Sequence, residues 1–317
     1  MNVFISGRFS SCEKDIFYEM LGKGIIFDDE PAGTNEVSCT KVALMTSWKQ
    51  FYPGLARMPD LEMVQCFFAG ADRLDFEKIP KNITVTTASG AMASSVAEHA
   101  FSLLLHLCRN LELQGSRMRE GEFEQLDPLN RELFGKTIGI VGYGSIGRAV
   151  GSMAKAFGMQ ILAINISGHS DADKTYTLEG LDMLLRESDY VVLCIPLNNK
   201  TRGIIDKKKL EGMKENAILV NVSRGGVINE KDLYLHLSSH PSFKAGLDVW
   251  WHYPKNKEKW SQAYPFERLE NVAMTPHNAA LVTGWRERTI RFCCKNILNY
   301  VNKGKIENVV RREDYLM

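Results

Sequence analysis

Three groups of residues in this chain of 317 carry chemistry. The first is Gly142-Tyr143-Gly144-Ser145-Ile146-Gly147, a G-x-G-x-x-G. Gly142 permits a sharp exit from a strand, Gly144 lets the backbone touch a pyrophosphate, and Gly147 lets a helix lie close on that strand. The second is Arg224, followed by Gly225 and Gly226. Its planar fork suits a carboxylate or a carbonyl oxygen, and the glycines leave room for one. The third is His277, after Thr275 and Pro276. An imidazole in a cleft can give a proton to a developing alkoxide and take it back. Asp248 adds a carboxylate able to accept from the carboxamide of a nicotinamide, or else to cap or form a turn.

These residues need a scaffold, and the flanking sequence supplies it. Thr137–Val141 is apolar and β-branched, the composition of a buried strand. Ile146, Val150, Met153, Ala154 and Phe157 recur at helical spacing, Gly158 stops the helix, and Ile161–Ile164 begins a second strand. The glycine motif therefore sits in a βαβ unit, where the helix N-terminus directs its N–H groups at phosphate. Further strands are expected at 190–194, 217–222, 245–249 and 272–274, and helices at 178–186, 207–213, 230–237 and 283–302. Arg224, Asp248 and His277 each follow a strand, and ligands gather at the carboxyl ends of parallel strands.

Residues 1 to about 88 form a smaller alternation. Strands are expected at 3–6, 42–45, 64–68 and 83–86, with helices around 15–22 and 48–58. After the third of them, Gly70 and Ala71 offer backbone N–H groups to an anion; the spacing alone favours a plain strand-to-helix turn. Residues 90–110 read as an amphipathic helix with Ser94 or Ser95 and Glu98 as its start signal. Residues 111–135 read as a polar connection.

An acidic residue normally ends the second strand of such a unit and holds the ribose 2′-OH of NAD. Here that place is Asn165, followed by Ser167 and His169. A neutral amide does not repel a 2′-phosphate, so both NAD and NADP remain open.

The formal net charge of +1 gives no global field for nucleic acid or an anionic membrane. Lys207-Lys208-Lys209 reads as a solvated helix start. No apolar run approaches a membrane span, and the N-terminus lacks a signal-peptide pattern. The seven cysteines include no C-x-x-C, which fits reduced thiols in a cytoplasm. No His/Cys/Asp cluster has metal-ligand spacing.

Ordered motifs along nearly the whole chain then resemble the D-2-hydroxyacid dehydrogenase family. They are Ser95-Val96-Ala97-Glu98-His99, Leu133–Thr137 leading into the glycine motif, Ile195-Pro196-Leu197 with Thr201-Arg202-Gly203, Val220–Gly226, Gly246–Val249 and Thr275-Pro276-His277. The resemblance implies a Rossmann doubly wound parallel sheet (89–284) inserted into a smaller flavodoxin-like α/β substrate domain (1–88 plus 285–317). It implies a homodimer, Arg224 as substrate-carboxylate anchor and His277 as acid/base. N–H groups near Gly70 and Ala71 would hold the carboxylate. Val96, Pro196, Val222 and Asp248 would line the coenzyme.

Two departures stand out. The family's catalytic Glu, just before a proline, is Tyr253 here. A phenol cannot raise the pKa of His277 by charge, although a hydrogen bond can orient it; Glu258 or Glu267 are nearby substitutes in sequence. Formate dehydrogenases of the same family also lack this Glu, but they carry Asn where this chain has Met92. The leading expectation is an NAD(P)-dependent reductase of a small 2-oxo acid such as glyoxylate or hydroxypyruvate. The alternatives are a formate dehydrogenase and a nucleotide-sensing binding protein with lost catalysis.

Overall fold

A computed structural model describes residues 2–28, 37–126, 130–255 and 258–316. The chain divides into two compact units, Met1–Met92 with Val282–Met317, and Ala93–Leu281.

The first unit holds a parallel sheet in the order β2-β1-β3-β4-β5. The strands are β1 (Val3–Ser6), β2 (Ile25–Phe27), β3 (Val42–Met45), β4 (Met63–Cys66) and β5 (Thr84–Thr86). This is the flavodoxin-like order. Side chains alternate between faces along each strand. Val3, Ile5, Val42 and Leu44 join a cluster with Phe17, Ile290 and Ile297. Phe4, Ala43, Met45 and Val64 join another with Phe51 and Phe76. Both faces are thus covered, which is why these strands read as unbroken apolar runs. Each fully buried Ile or Leu contributes roughly 1.5–3 kcal/mol.

The first helix runs Ser11–Leu21, four residues earlier than expected, because Ser10 and Glu13 form a reciprocal capping box. The helix expected over 48–58 is α-helical only at Trp48–Phe51 and continues as a 3₁₀ turn over Tyr52–Arg57. Pro53 has no N–H to give and its ring crowds the preceding turn.

The second unit carries seven parallel strands in the order β12-β11-β10-β9-β6-β7-β8. They are β6 (Thr137–Val141), β7 (Gln160–Ile164), β8 (Lys174–Tyr176), β9 (Tyr190–Leu193), β10 (Ile218–Asn221), β11 (Lys244–Leu247) and β12 (Val272–Met274). The chain enters at β6 and winds outward on both sides, so the switch point lies between β6 and β9. β2 and β8, three residues each, escape the sequence reading because so short a run carries no period.

The helix Ala93–Cys108 lies across this sheet with nine buried residues. A Cβ on Gly246 of β11 would stand 3.0 Å from Leu103, so the bare residue sets the packing distance. Ser94 and Ser95 fall within the first turn of this helix rather than before it, and Ser95 is buried. The expected polar connection after it contains a helix, Leu111–Arg119, with no buried residue and hence no apolar stripe to announce it. All seven cysteines are free thiols. Among the described residues, no helix is long and apolar enough to cross a membrane.

Candidate active site

Because the seven strands are parallel, every loop leaving a carboxyl end emerges on one edge of the sheet. That edge carries the glycine turn after β6, Asn165 after β7, Pro196 after β9, Arg224 after β10, Asp248 after β11 and His277 after β12.

The glycine turn has the geometry its chemistry requires. Gly142 has φ +101°, and a Cβ there would lie 2.7 Å from the backbone of Cys194 at the β9 exit. A Cβ on Gly147 would stand 2.3 Å from the Gly142 carbonyl, so the helix Ser145–Ala156 sits as close to the strand as glycine allows. Gly144 is different: a Cβ there would meet nothing within 4 Å. Packing does not require that glycine, and the open space beside it suits a ligand's approach. Gly144 is also the N-cap of this helix and supplies no side-chain cap. The free amides and positive dipole end therefore suit a diphosphate, and the residues fit a dinucleotide.

Beyond β7, the loop closes on itself. Asn165 Nδ2 donates to the His169 carbonyl at 3.1 Å, as does the Ser167 hydroxyl at 3.1 Å. Ser167 and His169 are exposed, and neither they nor Asn165 bring a negative charge to this loop.

Arg224 is held by its predecessors. Buried Asn221 accepts from the Ser223 N–H at 3.0 Å and the Ser223 hydroxyl at 2.8 Å, and its Nδ2 donates to the Arg224 carbonyl at 3.0 Å. The Arg224 side chain is half-buried and donates from one Nη to the Ser223 carbonyl at 2.8 Å. A Cβ on Gly225 would lie 2.3 Å from the Trp250 backbone carbon. The Arg224 loop therefore lies flat against the segment that follows β11.

His277 has φ +58°, in the left-handed region. Histidine is enriched there relative to most residues, but the position still needs support. Support comes from both sides. Thr275 hydrogen-bonds through its N–H to Leu247 at 2.9 Å and through its hydroxyl to Asp248 at 2.7 Å. Past the histidine, the Asn278 and Ala279 N–H groups donate to Asp248 at 3.0 and 3.2 Å. His99 Nε2 lies 2.9 Å from the Thr275 hydroxyl. Since that hydroxyl donates to Asp248, His99 is the donor in this pair.

Asp248 is fully buried, and its oxygens accept from Thr275, Asn278 and Ala279 in the turn that carries His277, the turn-forming role open to a carboxylate at a strand end. Burial pushes its pKa up, but the hydrogen bonds from His99, Thr275 and Asn278 prevail and hold it below the usual carboxylate value. It stays ionised as a buried anchor. Val96 and Val222 share an apolar cluster with Ala279, two residues past His277, whereas Pro196 is exposed and its carbonyl accepts from Thr201 at 2.6 Å.

Tyr253 stands against His277, with ring centroids 5.4 Å apart. Its hydroxyl accepts from the Trp250 N–H at 3.2 Å. Glu258 turns back onto the Lys255 N–H at 3.0 Å and is exposed, as is Glu267. Sequence reasoning missed His99 and Trp250; His99 lay in view inside a motif but on a helix far away in the chain.

A parallel sheet with a bare glycine turn at its switch point, and an arginine and a histidine on the same edge, defines a nicotinamide-dependent oxidoreductase. Residues 101–279 match the family described as D-isomer specific 2-hydroxyacid dehydrogenase, NAD binding domain. The glyoxylate reductase of Pyrococcus furiosus is 35% identical over 259 residues, covering 78% of this chain and 75% of the relative. The hydroxypyruvate reductase of Thermotoga maritima is 38% identical over 212 residues, covering 67% and 68%. The crystal structure of a putative formate dehydrogenase from Pyrobaculum aerophilum superposes with a TM-score of 0.82 at 26% identity over all of both chains. The chain belongs to the D-isomer specific 2-hydroxyacid dehydrogenase family. It is an NAD(P)-dependent enzyme that moves hydride between the coenzyme and a small 2-hydroxy or 2-oxo acid.

Proposed function

We propose that this enzyme reduces a small 2-oxo acid of the glyoxylate or hydroxypyruvate kind, with Arg224 and His277 as its working side chains. The observation that carries this reading is their shared mounting. Both loops leave one sheet edge and rest on Trp250 and Tyr253. When bound, the coenzyme supplies hydride to the substrate's C2. The chain supplies the rest. Arg224 draws charge toward the oxygen of the 2-oxo group and its carboxylate. His277 gives its proton to the alkoxide as it forms and recovers one from solvent. The amides near Gly144 and Ser145–Gly147 take the diphosphate, and Asn165 with Ser167 meets the adenosine ribose. Val96, Pro196 and Val222 line the coenzyme.

In the first unit, Gly70 and Ala71 follow β4, and neither N–H makes a hydrogen bond within the described residues. Those amides suit the substrate carboxylate. This makes Met1–Met92 with Val282–Met317 the substrate unit. Tyr253 takes the family's Glu position and orients His277 through ring contact rather than charge.

The test is nicotinamide absorbance with NADH and with NADPH against a panel including glyoxylate, hydroxypyruvate and pyruvate. Absence of any change with every acid sinks the reading. Formate oxidation is the second reading, favoured by Tyr253 at the Glu position and opposed by Met92; formate-dependent reduction of NAD would establish it.

The enzyme works as a homodimer in the cytoplasm. Leu111, Met118, Phe123, Leu126 and Phe134 are all exposed apolar side chains between residues 111 and 134. A second copy covering this stretch accounts for so much exposed apolar surface in one segment. Leu126→Glu with Phe123→Glu is expected to convert a dimer to a monomer by light scattering. A wild-type monomer would refute the assembly.

A further inference from the structure

The indole of Trp250 is tied to the catalytic turn in a way that the proposed roles of Arg224 and His277 do not by themselves require. Trp250 is 4% exposed and follows β11 by three residues. Its Nε1–H donates to the Thr275 carbonyl at 2.9 Å, two residues before His277. Its main chain is what a Cβ on Gly225 would strike, one residue after Arg224. Its own N–H donates to the Tyr253 hydroxyl, and the Tyr253 ring faces His277. Trp260 and Phe266 pack edge-on against the indole at 4.8 and 6.3 Å, fixing its rotamer.

We infer that Trp250 is a positioning residue that sets the acid/base histidine and the substrate arginine in register by gripping both loops at once. The inference rests on the reading above, in which Arg224 and His277 serve the same substrate. Thr275 is held at its N–H, hydroxyl and carbonyl, and the carbonyl hold is the indole's. The peptide after it leads into Pro276, whose ring fixes φ. The orientation of the Thr275 carbonyl is therefore passed on to His277 with little slack. A catalytic group displaced by about 1 Å can lose about 10²-fold in rate. The two arms use different atoms, so they separate experimentally. The His277 arm is a side-chain hydrogen bond; the Arg224 arm is a main-chain contact.

The experiment compares Trp250→Phe with Trp251→Phe and Gly225→Ala. Trp251 is a matched control, because its Nε1–H donates to the Ile228 carbonyl at 2.7 Å and its ring stacks on Phe266. Trp250→Phe is expected to lower kcat for the 2-oxo acid about 10- to 100-fold. Its KM and its coenzyme Kd, read by nicotinamide fluorescence, should stay within about threefold. Gly225→Ala is expected to act chiefly on KM, raising it about tenfold, and Trp251→Phe to change neither by more than about twofold. The His277 imidazole resonance, assigned with His277→Gln, should shift in Trp250→Phe and not in Trp251→Phe. Equal losses in the two tryptophan variants, or an unmoved resonance and kcat in Trp250→Phe, would overturn the inference. A wild-type enzyme inert toward every 2-oxo acid would instead count against the proposed substrate, and the resonance would still judge the brace.

Discussion

The two flanks of the seven-stranded sheet hold their loops by different means. On the β6–β7 flank the backbone provides the binding surface. Gly144 leaves open space, the helix Ser145–Ala156 offers uncapped amides, and the Asn165 and Ser167 side chains after β7 fold back onto their own loop. On the β10–β12 flank, side chains hold the loop backbones: Asn221 fixes the Arg224 loop, Asp248 and His99 fix the His277 turn, and Trp250 touches both. The difference suits what each flank is proposed to bind. A diphosphate accepts hydrogen bonds from several directions, and amides at a helix end tolerate small shifts in it. A proton donor must reach one developing oxygen, and its efficiency falls with misplacement.

The largest expected effect is on the side-chain flank. His277→Gln should lower kcat about 10²- to 10⁴-fold, the range for loss of a general acid, with coenzyme Kd unchanged. Steady-state kinetics with a fluorescence titration of the coenzyme checks both halves. A His277→Gln enzyme of normal kcat would mean that the turn is braced for another purpose.

The backbone flank calls for a subtler change. Gly144→Ala adds a methyl that meets no protein atom within 4 Å, at an unstrained φ of −85°. Folding stability should hold to within about 0.5 kcal/mol, as for a neutral surface change. Coenzyme Kd should weaken roughly tenfold, since the methyl occupies the space the pyrophosphate needs. Gly147→Ala should instead destabilise the fold, because its methyl meets the Gly142 carbonyl at 2.3 Å. If Gly144→Ala binds coenzyme normally, the glycine turn is structural and the contrast between the flanks fails.

Much of this was readable in the chain. The glycine turn, both sheets and the placing of Arg224 and His277 after strands follow from period and local chemistry, which are properties of short segments. What was not readable depends on pairing across distance. Asp248 read as a carboxylate at a strand end, open to a cofactor or to a turn. Only the fold brings Thr275, Asn278 and Ala279 around it, 27 to 31 residues later. His99 precedes its partner Thr275 by 176 residues. The helix Leu111–Arg119 was illegible for another reason. Its sequence buries nothing within one chain, so its apolar residues follow no intramolecular face.

The opposite edge of the same sheet supplies the smallest effect and a control for the rest. His236, on the helix Glu230–Ser239, stacks on His240 at 4.2 Å and meets Phe243 edge-on at 4.6 Å, just before β11 begins. Burial, followed by the charge of His240, pushes its pKa down to about 4, with Glu211 opposing. The unfolded chain binds a proton there near the ordinary 6.5, so between about pH 6.5 and 4 it holds more protons than the folded one. Stability should therefore be complete above pH 6.5, decline as pH falls through that window, and level off below it. His236→Phe keeps an aromatic ring without a titrating group, and should flatten this decline in urea midpoints. Because the pair sits at the amino end of β11, kcat at neutral pH should not change. A His236→Phe enzyme with altered kcat would show that the two edges are coupled, and the separation of catalytic from structural titration would then be lost.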